Sequence, residues 1–380
     1  MKTQIDMAEL SNIPKNGYNV ISTFSGCGGS SLGYKLAGYG VKCAVEFIPN
    51  AAETYRINFP DTPVIEKDIR TICGKDLTSI TNIKPFELDI LDGSPPCCDF
   101  SINGKREQGW GKVKKYSSTE QRVDDLFFEY CRIVKDLMPK VFVAENTKGL
   151  TLGNAKTVLN KIIESLSDIG YNVKYQVLDA SDYECPQQRE RLILIGVRKD
   201  LHISPSFPKP MNRIITTEDA IGDLIDCGTD LVNHSVRDEQ IVKYFPPLCT
   251  SDDVIRIAKE HNIKVFEQNF RRDKWNEPYY TIRQHHTRPY HPIKNRLMGV
   301  DEAKRIQTFP DDFKLIHSPT QNWERIGRAV PPNLMKHIAQ HIQTEILDKI
   351  PKDYKMDSEK FNNIIKSDTS KILNGKHKLL

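Results

Sequence analysis

The feature that most constrains the fold is an alternation of short apolar stretches with helical stretches along the first half of the chain. Strand-like apolar stretches lie at 18–24, 43–47, 88–92, 141–144, 171–178 and 192–197. Helical patterns separate them, and the clearest runs from Leu126 to Leu137. Strands that alternate with helices form a mostly parallel sheet with helices on both faces. We therefore predict an α/β fold with a doubly wound, Rossmann-like sheet.

The alternation stops near residue 226 and returns near residue 291. Between these points, 226–290 is polar and rich in His, Arg and aromatic residues, without a repeated strand–helix pattern. We interpret this stretch as a small inserted lobe, so that 1–225 and 291–350 form the two parts of a large domain. The second part includes a helical pattern that begins at Pro331. The final 351–380 is rich in Lys and Asn, which predicts a C-terminal helix or a loose tail.

Composition excludes several classes of protein. With 38% hydrophobic and 27% charged residues, the chain has the balance of a globular domain and not of a disordered segment. Its longest apolar run, 192–197, is far shorter than the ~20 residues of a membrane span, and no secretory signal is expected. The nine cysteines are scattered and include no C-x-x-C pair, which argues against a disulfide framework and a zinc site. We expect a cytoplasmic protein without a bound metal.

A glycine-rich turn follows the first predicted strand. It spans Phe24 to Gly33 and leads into a helix that Ser30 or Ser31 would cap. Glycines there let the backbone approach a nucleotide-like ligand closely. Glu46 ends the next strand, where a carboxylate binds ribose hydroxyls, and Asp68 follows the third strand, where an acid can bind an adenine amino group. Dehydrogenases share such a turn, and each acid alone is more often solvated, so a nucleotide cofactor and a plain tight turn both stay open.

The segment from Gly93 to Ser101 places a cysteine directly after two prolines and a predicted strand. Prolines stiffen the backbone, which suits a nucleophile whose angle of attack matters. A thiolate at the carboxyl end of a strand lies where α/β folds carry out chemistry. Cys97 is therefore the candidate nucleophile. Four other cysteines are interpreted as small buried apolar residues: Cys27, Cys43, Cys73 and Cys131.

Charged side chains occupy two further places in the strand pattern. Glu145 follows an apolar strand, and Gln187, Arg189 and Arg191 alternate along an extended segment, so that they share one face. Singly, each charge is more often part of a structural ion pair. Arginines that enter one crevice with a cysteine and a glutamate imply an anionic or carbonyl-bearing substrate. We predict that Cys97, Glu145, Arg189 and Arg191 form a catalytic set.

With these motifs in this order, the chain resembles the C5-cytosine DNA methyltransferase family from Tyr18 to Ile350. The matching blocks are the turn at 24–33, Pro95-Pro96-Cys97 followed by Phe100 and Ser101, Arg122 with Leu126 and Phe127, Glu145-Asn146, Gln187-x-Arg189-x-Arg191, 217–224, 305–310 and 327–332. The resemblance implies a Rossmann-like methyltransferase sheet, a small target-recognition lobe and S-adenosylmethionine as cofactor. The cofactor-binding residues that it implies are Phe24, Ser25, Gly26, Cys27, Gly28, Gly29, Glu46, Phe47, Asp68, Ile69, Leu126, Arg328 and Val330.

Four positions depart from the family pattern. Ser22 replaces an acid near the cofactor turn, Cys98 replaces a Gln, Thr147 replaces a Val, and Arg328 replaces a neutral Asn. None of these changes removes a catalytic residue, so the resemblance still implies activity. The guanidinium of Arg328 adds a positive charge beside a cationic cofactor and requires an anionic partner. We expect a protein carboxylate or a DNA phosphate. The alternative is a carboxylate on the transferred group, as in carboxy-S-adenosylmethionine, which would make 5-carboxymethylcytosine.

The resemblance implies a role for each catalytic residue. The thiolate of Cys97 adds to C6 of cytosine and makes C5 nucleophilic, while Glu145 hydrogen-bonds the N3/N4 edge of the base. Arg191 would hold the O2 carbonyl, and Arg189 would position a loop or a phosphate. C5 takes the methyl group, and loss of the C5 proton expels the cysteine. The base must leave the duplex for this chemistry, which implies base flipping.

A formal net charge of +4 is small for 380 residues, so a DNA-binding surface must be local. The segment from Lys105 to Arg122 holds six basic and two acidic residues. It predicts a loop that closes over phosphates, with a solvated charged loop as the plain alternative. The recognition lobe is expected to supply base contacts. The predicted DNA-binding residues are Lys105, Arg106, Lys112, Lys114, Lys115, Arg271, Arg272, Lys274 and Arg283.

The predicted function is transfer of a methyl group to C5 of cytosine in a specific sequence of duplex DNA, as in prokaryotic restriction-modification systems. A cognate restriction endonuclease that acts separately is the partner that this role allows, and a monomer is expected. One alternative is a tRNA cytosine methyltransferase of the same family, whose characteristic Cys-Phe-Thr segment the chain lacks. Another is a non-catalytic DNA-binding relative. A dehydrogenase would not need the Pro-Pro-Cys segment.

Overall fold

The computed structural model describes residues 6–96, 114–116, 119–121, 125–226, 241–265, 270–284, 289–357 and 361. Helices in these ranges are α1 (Gly29–Leu36), α2 (Pro49–Asn58), α3 (Gly74–Thr81), α4 (Leu126–Leu137), α5 (Ala155–Ile169), α6 (Thr217–Ile221), α7 (Ser251–Glu260), α8 (Val300–Ile306), α9 (Pro319–Arg328) and α10 (Pro332–Glu345). Short 3₁₀ turns lie at Met7–Asn12, Ile69–Thr71, Lys148–Thr151, Ala180–Tyr183, Lys199–Leu201, Gly222–Leu224 and Leu347–Lys349.

The strands are β1 (Asn19–Thr23), β2 (Gly40–Val45), β3 (Val64–Ile65), β4 (Ile90–Gly93), β5 (Lys114–Tyr116), β6 (Thr119–Gln121), β7 (Val141–Thr147), β8 (Tyr171–Asp179), β9 (Gln187–Gln188), β10 (Glu190–Arg198) and β11 (Tyr279–Tyr280). Seven of them form one sheet in the order β3-β2-β1-β4-β7-β10-β8. Five of these strands, β3, β2, β1, β4 and β7, run parallel to one another. Strand β10 is antiparallel to both of its neighbours, β7 and β8. The predicted mostly parallel α/β sheet is therefore confirmed.

Helices cover both faces of this sheet, because side chains on a strand alternate in direction. On β10, Leu192 and Leu194 pack with α4 and α5, whereas Ile193 and Ile195 pack with α1 and α10. All four side chains are completely buried. Burying one such side chain contributes about 1.5–3 kcal/mol. We call the sheet and these covering helices the sheet domain.

Two further apolar clusters hold together a smaller region, which we call the second lobe. One joins α6, α8 and α9 around Trp275 and Trp323, and the other includes α7 and surrounds Phe245 and Tyr290. The pairing of β11 with β9 joins this lobe to the sheet domain. Since α8 and α9 belong to the predicted returning part of the large domain, the second lobe combines residues of that part with residues of the predicted insertion. The boundaries at 226 and 290 stay a prediction.

The described part of the C-terminal stretch lies against the sheet domain. Residues 351–357 contain no helix, and the Tyr354 hydroxyl donates to the carboxylate of Asp200. The ring of Phe361 meets the ring of Phe86 edge-on, with centroids 5.9 Å apart. In the described ranges, no helix combines the length and apolar character that a bilayer crossing needs.

Candidate active site

The carboxyl ends of the parallel strands and the second lobe enclose a cavity of about 630 Å³. Its walls come from the turn after β1, the ends of β2, β4 and β7, and the segments 281–284 and 325–330. The predicted site residues in these walls are Phe24, Ser25, Gly26, Cys27, Gly29, Glu46, Phe47, Ile69, Leu126, Glu145, Arg189, Arg191, Arg283, Arg328 and Val330. The cavity thus brings the predicted cofactor end and the predicted catalytic end together.

The glycine-rich turn can approach the opposite wall because two of its residues lack a Cβ atom. Gly28 has a φ of 100°, in the left-handed region, and a Cβ there would lie 2.4 Å from the ring of Phe59. At Gly29 a Cβ would lie 2.3 Å from the carbonyl oxygen of Val330. A larger residue at Gly29 would push the turn away from the 325–330 segment, and one at Gly28 would clash with the ring of Phe59, so both glycines are needed for this turn.

Helix α1 begins directly after this turn, and its N-cap is Gly28. The prediction that Ser30 or Ser31 caps the helix is wrong, because both serines already lie inside its first turn. Their hydroxyls serve other contacts: Ser31 Oγ accepts a hydrogen bond of 2.8 Å from the hydroxyl of Tyr55, and Ser30 lines the cavity. Helix α1 therefore starts without a side-chain cap.

The carboxylate of Glu46 is fixed at the edge of the cavity just beyond β2. Its two oxygens accept the backbone N–H groups of Gly26 and Ile48, each at 2.7 Å. Burial raises the pKa of Glu46, while these hydrogen bonds and the charges of Arg325 and Arg328 lower it. A carboxylate oxygen accepts more than one hydrogen bond. Glu46 can therefore bind hydroxyl groups of a ligand without losing its backbone contacts.

The second predicted acid has a different environment. Asp68 caps the 3₁₀ turn that follows it and forms an ion pair of 3.0 Å with Arg70, which also contacts Asp125 at 2.5 Å. The cavity walls, as the described residues define them, include Ile69 but neither Asp68 nor Gly28. The adenine contact assigned to Asp68 stays a prediction.

The anionic partner expected for Arg328 is a protein carboxylate. Its guanidinium lies 2.6 Å from an oxygen of Glu324, one turn earlier on α9. Arg325 contacts the same oxygen at 3.3 Å. The extra positive charge at position 328 is therefore accompanied by a negative charge within the protein.

At the catalytic end, the proline segment after β4 forms part of the cavity wall. Ser94, Pro95 and Pro96 all line the cavity. The side-chain amide of Asn146 donates a hydrogen bond of 3.0 Å to the carbonyl oxygen of Pro95, which ties this segment to β7. The predicted nucleophile Cys97 and its neighbour Cys98 lie outside the described residues.

The other cysteines largely follow their apolar interpretation. Cys27, Cys43 and Cys131 are buried, and burial raises the pKa of the Cys27 thiol to about 12. Such a thiol is a poor nucleophile at neutral pH. Cys73 contradicts the interpretation, because it is only partly buried and occupies the N-cap of α3, where its N–H donates to Asp76 at 2.7 Å.

Across the cavity, β7 and β10 bring two predicted catalytic groups together. The guanidinium Nε of Arg191 lies 3.0 Å from a carboxylate oxygen of Glu145. The two side chains are 14% and 12% exposed, and both line the cavity. An acceptor beside a donor suits a ligand edge that carries an N–H group and a carbonyl group side by side. A cytosine whose N3 is protonated has this pattern, with N3–H beside the O2 carbonyl.

Arg189 has a different task from its neighbour. Its guanidinium donates to the carbonyl oxygens of Ile282, Gly327 and Ala329 at 2.8, 2.9 and 3.1 Å. The residue is 1% exposed, and burial lowers its pKa well below the usual value. The phosphate contact considered for Arg189 is therefore wrong. The residue instead joins two wall segments that come from distant parts of the chain.

The predicted DNA contact of Arg272 is also wrong. It is completely buried in the second lobe. Its guanidinium donates to the carbonyl oxygens of His291 and Phe245 at 2.8 and 2.9 Å, and to the side-chain oxygen of Asn295 at 2.7 Å. A guanidinium enclosed in this way has no access to a duplex. Arg272 holds three loops of the lobe together.

The other predicted DNA-binding residues differ in what surrounds them. Arg271 lies flat on the ring of Tyr280, 3.3 Å from its centroid, and Arg283 lines the cavity. Lys274 pairs with the carboxylate of Glu277. Lys114 and Lys115 belong to β5, which pairs with β6, and their side chains are not described. Lys105, Arg106 and Lys112 lie outside the described residues.

Sequence comparison points to the same chemistry. The family model for C-5 cytosine-specific DNA methylases matches residues 18–344. The chain belongs to this family. It is 35% identical to the type II methyltransferase M.PspPI of Psychrobacter, over 91% of this chain and 83% of the relative, and 33% identical to M.Sau96I of Staphylococcus aureus, over 89% and 78%.

A solved structure supports the same assignment. It is that of a candidate DNA modification methyltransferase encoded within a prophage of E. coli. The alignment has a TM-score of 0.66 at 25% identity and covers 87% of this chain and 100% of that one. The protein is thus a DNA cytosine-5 methyltransferase, and its cofactor is that of the family, S-adenosylmethionine. The turn at Gly26, Cys27 and Gly29 in the cavity wall and the fixed carboxylate of Glu46 fit its nucleoside.

Several residues of the site were not predicted. Glu324 and Arg325 stand on α9 beside the cofactor end, and Asp92 lies beneath the cavity wall. Each of them acts through a partner from another element, such as Ser22 for Asp92. No local motif marks these residues, so only the packing of α9 and β4 against the site identifies them.

Proposed function

We propose that this enzyme methylates C5 of a flipped-out cytosine in a short, specific sequence of duplex DNA, through a covalent bond between the sulfur of Cys97 and C6 of the base. One observation carries the proposal. A single cavity has Glu46 at one end, the Glu145–Arg191 pair at another, and Pro96, the residue before Cys97, in its wall. A shared cavity holds the two reactants close enough for direct transfer.

In the proposed reaction, the residues at the catalytic end make C5 nucleophilic. The thiolate of Cys97 attacks C6, and the electron pair of the C5–C6 double bond shifts toward C4 and N3, which makes C5 enamine-like. Glu145 binds the N3/N4 edge, and Arg191 donates to the O2 carbonyl as negative charge builds there. When bound, the cofactor supplies the methyl group to C5 from its sulfonium. Loss of the C5 proton restores the double bond and releases the Cys97 thiolate.

Methyl is the group that we propose is transferred. The carboxymethyl alternative rested on the need for an anion beside Arg328. Glu324 meets that need at 2.6 Å, so the positive charge does not call for a carboxylate on the transferred carbon. Nucleoside mass spectrometry of DNA methylated by the enzyme is expected to show 5-methylcytosine.

For DNA binding we propose Arg271 and Arg283, together with the basic segment 105–122. In the part of the chain that the structure describes, neither arginine has a carboxylate within ion-pair distance. The pKa of Arg283 is lowered mainly by burial and, to a smaller extent, by the positive charge of Arg271. Two neighbouring cations without a carboxylate favour a phosphate between them. Lys274 is the weaker candidate, because Glu277 already neutralises it.

The decisive experiment is trapping with DNA that carries 5-fluorocytosine at the target. Fluorine at C5 cannot leave as a proton does, so the bond between protein and base persists. Wild-type protein is expected to form an adduct that survives denaturation, and Cys97→Ala is expected to form none. Cys98→Ala is the matched control and should keep the adduct. An adduct mapped to Cys98 would contradict the proposal.

A methylation assay with duplex DNA and with tRNA tests which nucleic acid is the substrate. The relatives are named type II methyltransferases, so we propose a duplex DNA sequence that a separate restriction endonuclease recognises, and a monomeric enzyme acting on it. Methyl groups are expected at one short sequence of duplex DNA, which bisulfite sequencing would identify. Labelling of purified tRNA without labelling of DNA would overturn this part of the proposal.

A further inference from the structure

Asp92 is a buried carboxyl group behind the cavity wall, between the cofactor turn and the proline segment. It lies on β4, two residues before Ser94, and is 1% exposed. It faces Ser22 in the parallel pairing of β1 with β4. The hydroxyls of Ser22 and Tyr34 donate to it at 3.0 and 3.4 Å, and Ser30 of the cavity wall also hydrogen-bonds it.

The groups around Asp92 are neutral or negative. They are Tyr34 on α1, Tyr55 on α2, Tyr130 on α4 and Glu145 on β7. Among the described residues, no Lys, Arg or His forms an ion pair with this carboxyl. Burial therefore raises its pKa to about 7, against the lowering effect of the hydroxyl donors. A carboxyl so balanced responds strongly to any positive charge that enters nearby.

Asp92 also accounts for a departure in the sequence. Ser22 stands where the resemblance implies an acid beside the cofactor turn. The structure has a carboxyl group beside that position after all, on the neighbouring strand and 3.0 Å from the Ser22 hydroxyl. The negative charge behind the turn is therefore relocated across the strand pair.

We propose that Asp92 is a positioning residue that makes the site prefer the sulfonium cofactor over its thioether product. The inference rests on the cofactor site of the proposed function. S-adenosylmethionine carries one more positive charge than S-adenosylhomocysteine. Ionised Asp92, held behind Ser22 and Ser30, attracts that charge through a wall with little water. Transfer removes this positive charge, so the product lacks the attraction to Asp92, binds less tightly and is released more readily.

The test compares the affinities of the two ligands by calorimetry. For the wild-type protein, the affinity ratio of S-adenosylmethionine to S-adenosylhomocysteine is expected to rise about fivefold from about pH 6 to about pH 8, because Asp92 ionises in this window. For Asp92→Asn that rise is lost. The ligands' own amino groups titrate in both proteins, so the difference between the two proteins isolates Asp92.

Two further measurements separate charge from structure. The double variant Ser22→Asp, Asp92→Ser returns a carboxyl to the other strand and is expected to restore the ratio. Asp92→Asn is also expected to raise Tm by a few degrees near pH 8 and by little near pH 5. The pKa of Asp92 is higher in the folded protein than in the unfolded chain, so the wild-type fold loses stability as pH rises toward 7, and the variant does not.

Two results would overturn the proposal. The first is an equal loss of affinity for both ligands in Asp92→Asn with the pH dependence of the ratio unchanged, which would leave Asp92 as a packing residue. The second is a ratio that the double variant fails to restore although it folds and binds both ligands. A wild-type protein that binds neither ligand would instead remove the cofactor site itself, and the proposed function with it.

Discussion

The charged side chains that carry the chemistry of the sheet domain border the cavity, whereas several charged side chains of the second lobe are buried and brace its loops. In the sheet domain, Glu46 and Glu145 stand at the carboxyl ends of parallel strands and Arg191 at the amino end of the antiparallel β10, and all three side chains border the cavity. In the second lobe, Arg272 and Glu302 are completely buried. Among the lobe's described residues, strand pairing is limited to the two residues of β11 and an isolated bridge between Tyr290 and Leu297. Buried charges there satisfy the backbone groups that a larger sheet would satisfy by itself.

A network of two charged side chains and a histidine shows the same use in the second lobe. Glu302 lies 2.7 Å from Arg296 and 3.3 Å from His291, and it accepts the N–H of Gly299 at 2.7 Å. Burial lowers the pKa of His291 to about 4, so this ring is neutral at physiological pH. The comparison shows that a basic residue of the second lobe, such as Arg272, can brace loops and need not bind DNA.

The largest effect is expected on the sheet-domain side of this comparison. Glu145→Gln keeps the shape of the side chain but removes its charge, so it should slow methyl transfer by about 10²–10⁴-fold with little change in Tm. Measurement of kcat with duplex DNA checks this. Glu190→Gln is the control, because Glu190 is exposed on the neighbouring strand β10 and pairs only with Lys148 in the described contacts. A Glu145→Gln enzyme within tenfold of wild type would break the comparison.

An intermediate effect, on stability, is expected in the second lobe. Arg272→Met leaves two carbonyl groups and an amide oxygen without their donor, so the free energy of unfolding should fall by about 3 kcal/mol. Arg256→Met, at an exposed arginine on α7, should cost about 0.5 kcal/mol or less. Urea denaturation measures both. Weaker DNA binding by a fully stable Arg272→Met protein would show that Arg272 contacts DNA.

The smallest effect sharpens the comparison at the border of the two regions. Arg283→Gln should reduce the slope of log affinity for DNA against log salt concentration by about one, since one phosphate contact is lost. The preferred sequence should stay the same. Arg256→Gln should leave the slope unchanged, because that guanidinium is already paired with Asp253 and Glu260. Equal slopes for all three proteins would remove Arg283 from the DNA interface.

Much of the sheet domain could be predicted because its signals are local. A strand that is buried on both faces, such as β10, shows as a continuous apolar run within nine residues, and the residues that follow the apolar runs of the parallel strands β2 and β7 lie at the cavity edge. Glu46 and Glu145 were found in this way. Arg272 could not be assigned, because the sequence does not distinguish a guanidinium that binds carbonyl groups from one that binds phosphates.

The sequence by itself determined the α/β class, the cofactor turn and the membership of Glu145 and Arg191 in one site, because period, strand ends and motif order are properties of neighbouring residues. Only the tertiary structure decided which charges are used inside the protein. Arg189 meets carbonyl groups from 93 and 138 positions away, and the Asp92 carboxyl meets a hydroxyl 70 positions away. Burial sets the free energy of such charges, and burial is a property of the packed chain.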